Sequence, residues 1–553
     1  SDRMHRTATH GPMGIPWLHV VAAGLLLIAL NAIKPVHVDD PVYLSYGAEF
    51  VRHPLDPYAF RFGSPYIMPA NNTLVPPVLP YWLGTGTLLF GDHPALLKFW
   101  LLPFGLALAW AVDSLAARVA PSLRVPLIWL CVLSPTTLPG FNFMLDVPAL
   151  ALGLTALAIA MRSVEQNSWG LTLLAGLVAA LAIQTKYTGI TSCVAILVWC
   201  ALQGQSKRGV VAVALALSLV VGWECMLAWS QGESHFLVQL RIRQGAFCWR
   251  CLHLVLPLLS LMAGLAPAVA LLGLMALGWT DRCVLAAGLG MLAGFAILAT
   301  VPSQAPLLTG ANGRPILTFS NLVYFLLAAP VWYVFMRGCL QLLRQTRGPD
   351  GPDRMVGLFL LAWLALEIGG CFALSPFPAA RRVVGLLLVF TFLVGRMAHQ
   401  RGISPRAAGR VAACGAALAL LIFVTDSLDA FAERAAALEV TRRAYPLAKG
   451  CTFWQLSWWG FSYYADREGL LPLQLNRQTP RPGDLIALHY IPELDEAMAH
   501  HPEIGLELID MVKVGDGFPL KAPGCKLGRT PLESQHGERI RVLIYRVTSR
   551  DPP

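Results

Sequence analysis

Long apolar runs recur through the first three quarters of the chain, each closed by a charged or turn-forming position. They fall at 17–33, 95–117, 124–139, 147–162, 168–184, 187–203, 209–229, 253–278, 282–301, 315–336, 355–375, 383–398 and 411–427. A helix rises about 1.5 Å per residue, so runs of this length suit the ~30 Å of hydrocarbon in a bilayer. Inside lipid every backbone N–H and C=O must be satisfied within the protein, which a helix does locally. The pattern therefore predicts about thirteen membrane-spanning helices. The stretch 76–90 is held back: between Pro80 and Gly91 it is too short to cross, and it reads as an interfacial or re-entrant helix. The first run has the length of a signal peptide. No small-residue cleavage pattern follows it, so it is read as a retained span.

Basic residues test this layout. With the N-terminus cytoplasmic, one set of short loops carries Arg118 and Arg124, Arg162, Lys207 and Arg208, and Arg282. The later members of the same set carry Arg337, Arg344, Arg347 and Arg354, then Arg396, Arg401, Arg406 and Arg410. Their gathering on one side is what the positive-inside rule requires, and counting 76–90 as a span would invert it. The C-terminus then lies outside. Composition agrees: 56% of the 553 residues are hydrophobic and 13% charged, against about 25% charged in a soluble domain. The net charge of +10 is a topology signal here rather than a nucleic-acid footprint. One outer loop, 230–252, resists the trend with Arg241, Arg243 and Arg250, which suit either an anion-binding cleft or an amphipathic helix facing headgroups.

Beyond residue 427 the character changes. An amphipathic stretch, Asp429 to Tyr445, precedes alternating segments at Leu485 to His489, Leu506 to Val512 and Ile540 to Val547, which predict strands. The chain thus divides into a transmembrane part, 1–427, with a long first outer loop at 34–94, and a small extracytoplasmic α+β domain at 428–553. Gly348 to Pro352 form a Pro/Gly-rich inner loop. Most of the twelve cysteines lie in apolar segments and read as packing residues. Cys248 and Cys251 form a CxxC beside His253 without a second half, and Cys451 and Cys525 could pair if the tail is outside the cytoplasm.

The candidate chemistry collects on the outer side. Adjacent aspartates, Asp39 and Asp40, follow the first span; Glu49 shares their loop, Asp146 lies in the next, Lys186 in the third, and Arg381 with Arg382 near the end. Cations beside carboxylates are the layout expected of a site handling a phosphorylated, lipid-borne substrate, with a carboxylate to take a proton. Blander readings exist for each. Asp39 and Asp40 could cap the short helix Val42 to Val51, with Pro41 at its start, and Asp146 could cap its own helix. Lys186 could snorkel from a helix end, and the two arginines could anchor a span. Trp454, Trp458, Trp459, Tyr463 and Tyr464 suit an interfacial belt, a domain core or a stacking surface for sugar.

The ordered motifs carry a resemblance. His37-Val-Asp-Asp-Pro-Val-Tyr43 follows the first span, then Pro76-Pro-Val-Leu-Pro-Tyr-Trp82, Leu89-Phe-Gly91, Ser134-Pro135, Phe143-Met-Leu-Asp-Val-Pro148, Gln184-Thr-Lys-Tyr-Thr-Gly189 and a late Ala380-Arg-Arg382. Together these resemble the GT-C membrane glycosyltransferases, in particular bacterial relatives of the dolichyl-phosphate-mannose protein mannosyltransferases and of the lipid A aminoarabinose transferase. The resemblance covers the membrane part and rests on ordered co-occurrence. It implies a fold of GT-C type and an inverting transferase that moves a sugar from a polyprenyl-phosphate donor to a protein, lipid or cell-envelope acceptor. The setting it implies is the outer face of a bacterial cytoplasmic membrane. Carried over, Asp39 is the general base, with Asp40 where Glu is usual. Asp146 helps form the cleft, and Lys186 with Arg381 or Arg382 faces the lipid phosphate. Tyr43 belongs to the first motif. Where relatives carry Lys or His before the Pro-Pro pair this chain has Leu74-Val75, which leaves that phosphate contact to Arg61 or Lys186. The resemblance leaves a divalent cation open, with Asp39 and Asp146 as the ligands it would take. Two other classes compete: a secondary transporter, for which Asp113, Glu224 and Glu367 inside the spans would matter, and a non-catalytic scaffold of the same fold.

Overall fold

The computed structural model describes residues 14–243, 255–300, 306–309, 315–346, 351–374, 379–448, 450–526, 530–535 and 537–548. Cys248, Arg250, Cys251 and His253 lie outside these residues, as does most of the Gly348 to Pro352 loop. Each predicted run coincides with a helix. Eight helices among the described residues are long and apolar enough to cross a membrane, and the pair Pro257–Leu265 and Pro267–Ala276, bent by 75°, makes a ninth. Pro267 explains the bend, since its ring cannot continue the preceding turn. Four of the other expected spans, at Pro121–Val132, Trp169–Thr185, Tyr187–Leu202 and Val384–Gln400, are apolar helices too short to meet that test, so the count by length and composition is eight or nine rather than about thirteen. The protein is a multi-pass membrane protein, with a β-containing unit at its C-terminal end.

The stretch held back as interfacial is the 13-residue helix Val78–Phe90, and it packs against the helix Asp40–Arg52. Gly47 and Gly84 let the two backbones touch: a Cβ on Gly84 would lie 2.4 Å from the Gly47 carbonyl oxygen. The remainder of the first loop folds over its own aromatic cluster. Tyr46 lies 4.9 Å from the Phe60 ring and donates from its hydroxyl to the Ala70 carbonyl at 2.7 Å, while Tyr58 donates to Val75 at 2.8 Å. The Ala70 and Val75 carbonyls are thereby satisfied by side chains from the same loop.

The helix Pro405–Ala444, 40 residues long, runs without a break through the boundary expected at 427–428. Ser404 caps it, accepting the Ala407 N–H at 3.2 Å. The amphipathic stretch read from the sequence is its second half, and Ala436, Ala437 and Val440 there bury against one face of a five-stranded sheet. The strand order is Leu471–Pro472, Phe453–Leu456, Leu485–His489, Ile540–Thr548, Gly505–Val514. Phe453–Leu456 pairs parallel with both its neighbours, and the other two pairings are antiparallel. Leu485–His489 is buried along its whole length, as a central strand covered on both faces should be. The helix Pro492–Ala499 covers the second face with Leu494 and Met498. Cys451 and Cys525 are not joined by a disulfide.

The sheet unit is docked on the first loop. Trp458 Nε1 donates to the Ser64 carbonyl at 2.7 Å, Leu475 N–H to Pro65 at 2.9 Å, and the Asn476 side chain to Ile67 at 2.9 Å. Tyr464 Oη accepts the Val36 N–H at 3.0 Å, and Trp454 Nε1 donates to Asp484 at 3.0 Å. The aromatic cluster is therefore spent on the domain core and its junction with the first loop.

Candidate active site

The helix Asp40–Arg52 begins at the second aspartate, with Pro41 behind it. Asp39 occupies the cap position but makes no capping bond through its side chain. Its Oδ2 instead accepts Arg381 Nη1 at 2.8 Å, and with 36% of its side chain exposed it opens to solvent. Arg381, in the single turn Ala380–Arg382, is buried and also lies 3.4 Å from Met144 Sδ. Burial opposes its charge, yet the Asp39 and Asp146 carboxylates more than offset this and hold its pKa above the ordinary value.

Asp40 is placed differently. It is fully enclosed, and its two oxygens accept the backbone N–H groups of His37 at 3.1 Å and Phe143 at 3.0 Å. Burial raises its pKa, while Lys98 and Lys34 pull the other way. Two backbone bonds at no solvent exposure make it a clamp on the loop rather than a group that can reach a substrate.

Asp146 is the first residue of the helix Asp146–Glu165, and it too is not acting as a cap. Its Oδ1 lies 2.5 Å from Lys186 Nζ, with both side chains largely buried. Lys186 ends the helix Trp169–Thr185 in an extended conformation, which turns its ammonium inward instead of letting it snorkel. Tyr43, one turn after Asp39, is buried within the electrostatic reach of Asp39, Arg381, Asp146 and Arg382; burial and Asp39 push its pKa up. Arg61 stands apart on the short strand Arg61–Phe62, exposed, 3.4 Å from the Ile67 carbonyl.

Asp146, Lys186, Arg381 and Arg382 line a cavity of about 120 Å³. The rest of its wall mixes apolar and small residues such as Leu150, Gly153, Leu154 and Leu157 with the polar Thr188, Thr191 and Ser192, and includes Glu367 and Trp363. Trp363 Nε1 donates to Glu367 at 3.1 Å. Such a space suits an anionic head held by cations above an apolar chain. Of the other carboxylates inside spans, Asp113 is paired with Arg124 at 2.6 Å, and Glu224 accepts from Tyr187 at 2.9 Å, Ser234 at 2.7 Å and the Phe236 N–H at 3.0 Å.

A divalent cation would need Asp39 and Asp146 together. Each is engaged by a cation of the chain itself, and among the described residues no group of three or more His, Cys, Asp or Glu is gathered as metal ligands.

Sequence reasoning missed a second layer. Lys34 is ion-paired with Asp426 and donates to the Pro139 carbonyl at 3.2 Å; Lys98 donates to the carbonyls of Lys34 at 2.6 Å and Pro35 at 3.2 Å. His37 Nδ1 lies 2.7 Å from Glu433 Oε2, and its Nε2 3.5 Å from Asp426 Oδ1. All five side chains are buried. The available signal was that Lys34 and Asp426 each sit at the end of an apolar run, where a buried ion needs a partner.

No family model and no curated protein matches the sequence. Among solved structures, the fold is similar to that of the apo oligosaccharyltransferase of Archaeoglobus fulgidus: 14% identity, 84% of this chain and 65% of that one, TM-score 0.46. The chain thus spans slightly less than two thirds of the archaeal protein's length. It is also similar to ArnT from Cupriavidus metallidurans, in the apo state (TM-score 0.42) and bound to undecaprenyl phosphate (TM-score 0.40), each at 14% identity over 97% of this chain and 99% of that one.

Proposed function

We propose that this chain is an inverting glycosyltransferase that moves a sugar from a polyprenyl-phosphate donor onto an acceptor hydroxyl at the outer face of a bacterial cytoplasmic membrane. In this reading the N-terminus is cytoplasmic and the sheet unit extracytoplasmic. The observation that supports it is the gathering of Asp146, Lys186, Arg381 and Arg382 on one cavity, with Asp39 bound to Arg381 beside it.

The acceptor oxygen attacks the anomeric carbon from the side opposite the phosphate, and the bond between that carbon and the phosphate oxygen breaks. The acceptor's proton passes to Asp39, whose Oδ2 is bound by Arg381. Arg381, Arg382 and Lys186 stabilise the departing polyprenyl phosphate. Asp146 holds Lys186 in place. Asp40 fixes the loop that presents Asp39.

The test is transfer of label from a radiolabelled polyprenyl-phosphate sugar pool in membranes carrying wild type or Asp39→Asn, matched for expression and melting temperature. Transfer lost only in the variant supports the reading. Undecaprenyl phosphate bound with no transfer from any donor would instead favour a scaffold.

A further inference from the structure

Asp39 leaves a backbone turn that its neighbour does not adopt by preference. Val38 has φ of 52°, and a β-branched residue in the left-handed region is a genuine outlier. The residues on either side hold it there. His37 is enclosed with its ring between Glu433 and Asp426, and its N–H is bound by Asp40, which is in turn fixed by the Phe143 N–H. With both flanks pinned, the turn at Val38 is imposed, and Asp39 emerges facing Arg381.

The anchor on the far side comes from one helix. Asp426 and Glu433 are two turns apart on one face of Pro405–Ala444. Glu433 also holds the sheet unit: the oxygen 2.7 Å from His37 Nδ1, Oε2, accepts the Gly460 N–H at 3.0 Å, at the start of the helix Trp459–Arg467. Gly460 lies so close to the Val36 carbonyl that a Cβ there would come within 2.3 Å of it.

We infer that Glu433 and His37 are positioning residues for Asp39, and that through Glu433 the C-terminal unit must be seated on residues 36–38 for Asp39 to face Arg381. The identification of Asp39 as the base rests on the function proposed above; the mechanical linkage does not. A chain whose C-terminal unit is displaced would keep its cation-lined cavity and lose the aim of its carboxylate.

Hydrogen exchange by mass spectrometry on the full chain in detergent tests the linkage without a substrate. The amides of Asp40, Val42 and Tyr43 close onto the carbonyls of His37 and Asp39, so they report the turn directly. Glu433→Ala and Gly460→Ala are expected to speed exchange there by about tenfold or more, while the helix Trp169–Thr185 is unchanged. Tyr464→Phe, which removes only the hydrogen bond from the Val36 N–H, loosens the same seat more gently and keeps the test valid should either variant fail to fold; it is expected to speed exchange at 36–43 by a smaller factor. Exchange that rises in 453–470 but not in 36–43 would overturn the inference. With a donor that wild type turns over, Glu433→Ala should lower kcat by about 100-fold with donor KM nearly constant, and Glu433→Gln should recover part of it. Equal losses in kcat and donor binding would also overturn it. Wild type that transfers no sugar but shows the exchange linkage would refute the transferase reading alone.

Discussion

Arg381 and Asp39 are 342 positions apart in the chain and meet at 2.8 Å. In the transferase proposed above, the pair has two roles that single substitutions can tell apart. Asp39→Asn keeps the shape and removes the proton acceptor, so kcat is expected to fall by about 10²–10⁴-fold with donor KM little changed. Arg381→Ala removes a phosphate contact and should raise donor KM as well as lower kcat. Initial rates in proteoliposomes, with undecaprenyl phosphate binding followed by tryptophan fluorescence, distinguish these. An Asp39→Asn protein with wild-type kcat would remove Asp39 as the base.

Asp146 and Lys186 form a largely buried pair at 2.5 Å, so each single truncation removes the other's hydrogen-bonded counter-charge, and loss of Lys186 leaves Asp146 with only the charges of Arg381 and Arg382 nearby. Lys186→Met is expected to destabilise by about 3–5 kcal/mol, and the double variant Asp146→Asn/Lys186→Met by clearly less than the sum of the singles. Denaturant or thermal melts of the four proteins complete the cycle. Strict additivity would mean that the two ions do not meet in the folded protein.

The helical spans were legible because apolar runs of membrane length leave few alternatives, and the strand Ile540–Thr548 because its run of β-branched and apolar residues fits a buried strand. The site was legible in part. Asp39 meets Arg381, and Asp146, Lys186, Arg381 and Arg382 line one cavity, but Arg61 does not join them. Asp40 is enclosed rather than exposed because a backbone N–H from Phe143, 103 positions away, comes to meet it. Lys34, Lys98, Asp426 and Glu433 escaped notice for a similar reason. Each looks like an ordinary helix-end charge until Pro405–Ala444 is laid beside the first loop, and that contact depends on tertiary packing no local pattern encodes.

The contact between Gly47 and Gly84 sets how closely the two helices of the first loop pack against each other. Gly84→Ala would place a methyl 2.4 Å from a carbonyl oxygen that belongs to a helix and cannot swing aside. Overpacking of this kind costs about 1–3 kcal/mol. The melting temperature should drop, whereas Gly91→Ala, where a Cβ meets nothing within 4 Å, should owe any loss to its positive φ of 62° alone. A Gly84→Ala protein as stable as wild type would show that the two helices are not in backbone contact.

Asp484 organises the start of the central strand of the C-terminal sheet. Its Oδ1 accepts the Thr452 N–H at 2.9 Å, and its Oδ2 accepts the Arg481 N–H at 2.9 Å and Trp454 Nε1 at 3.0 Å. Burial would raise its pKa, but these donors outweigh burial and hold it below the usual carboxylate range. The folded value is thus depressed relative to an unfolded value of about 3.9. The stability this carboxylate supplies is present above that pH and is lost as the pH falls from about 4 toward the lower folded value. Asp484→Ala leaves two backbone donors and an indole N–H short of an acceptor, at about 1–3 kcal/mol for each one that stays dry. The variant should melt well below wild type at pH 7, and the gap between them should narrow as the pH is lowered from 5 to 3. Melting curves of the two proteins across that range measure both effects. A gap independent of pH would mean that the loss comes from packing around Trp454 and not from the charge on Asp484.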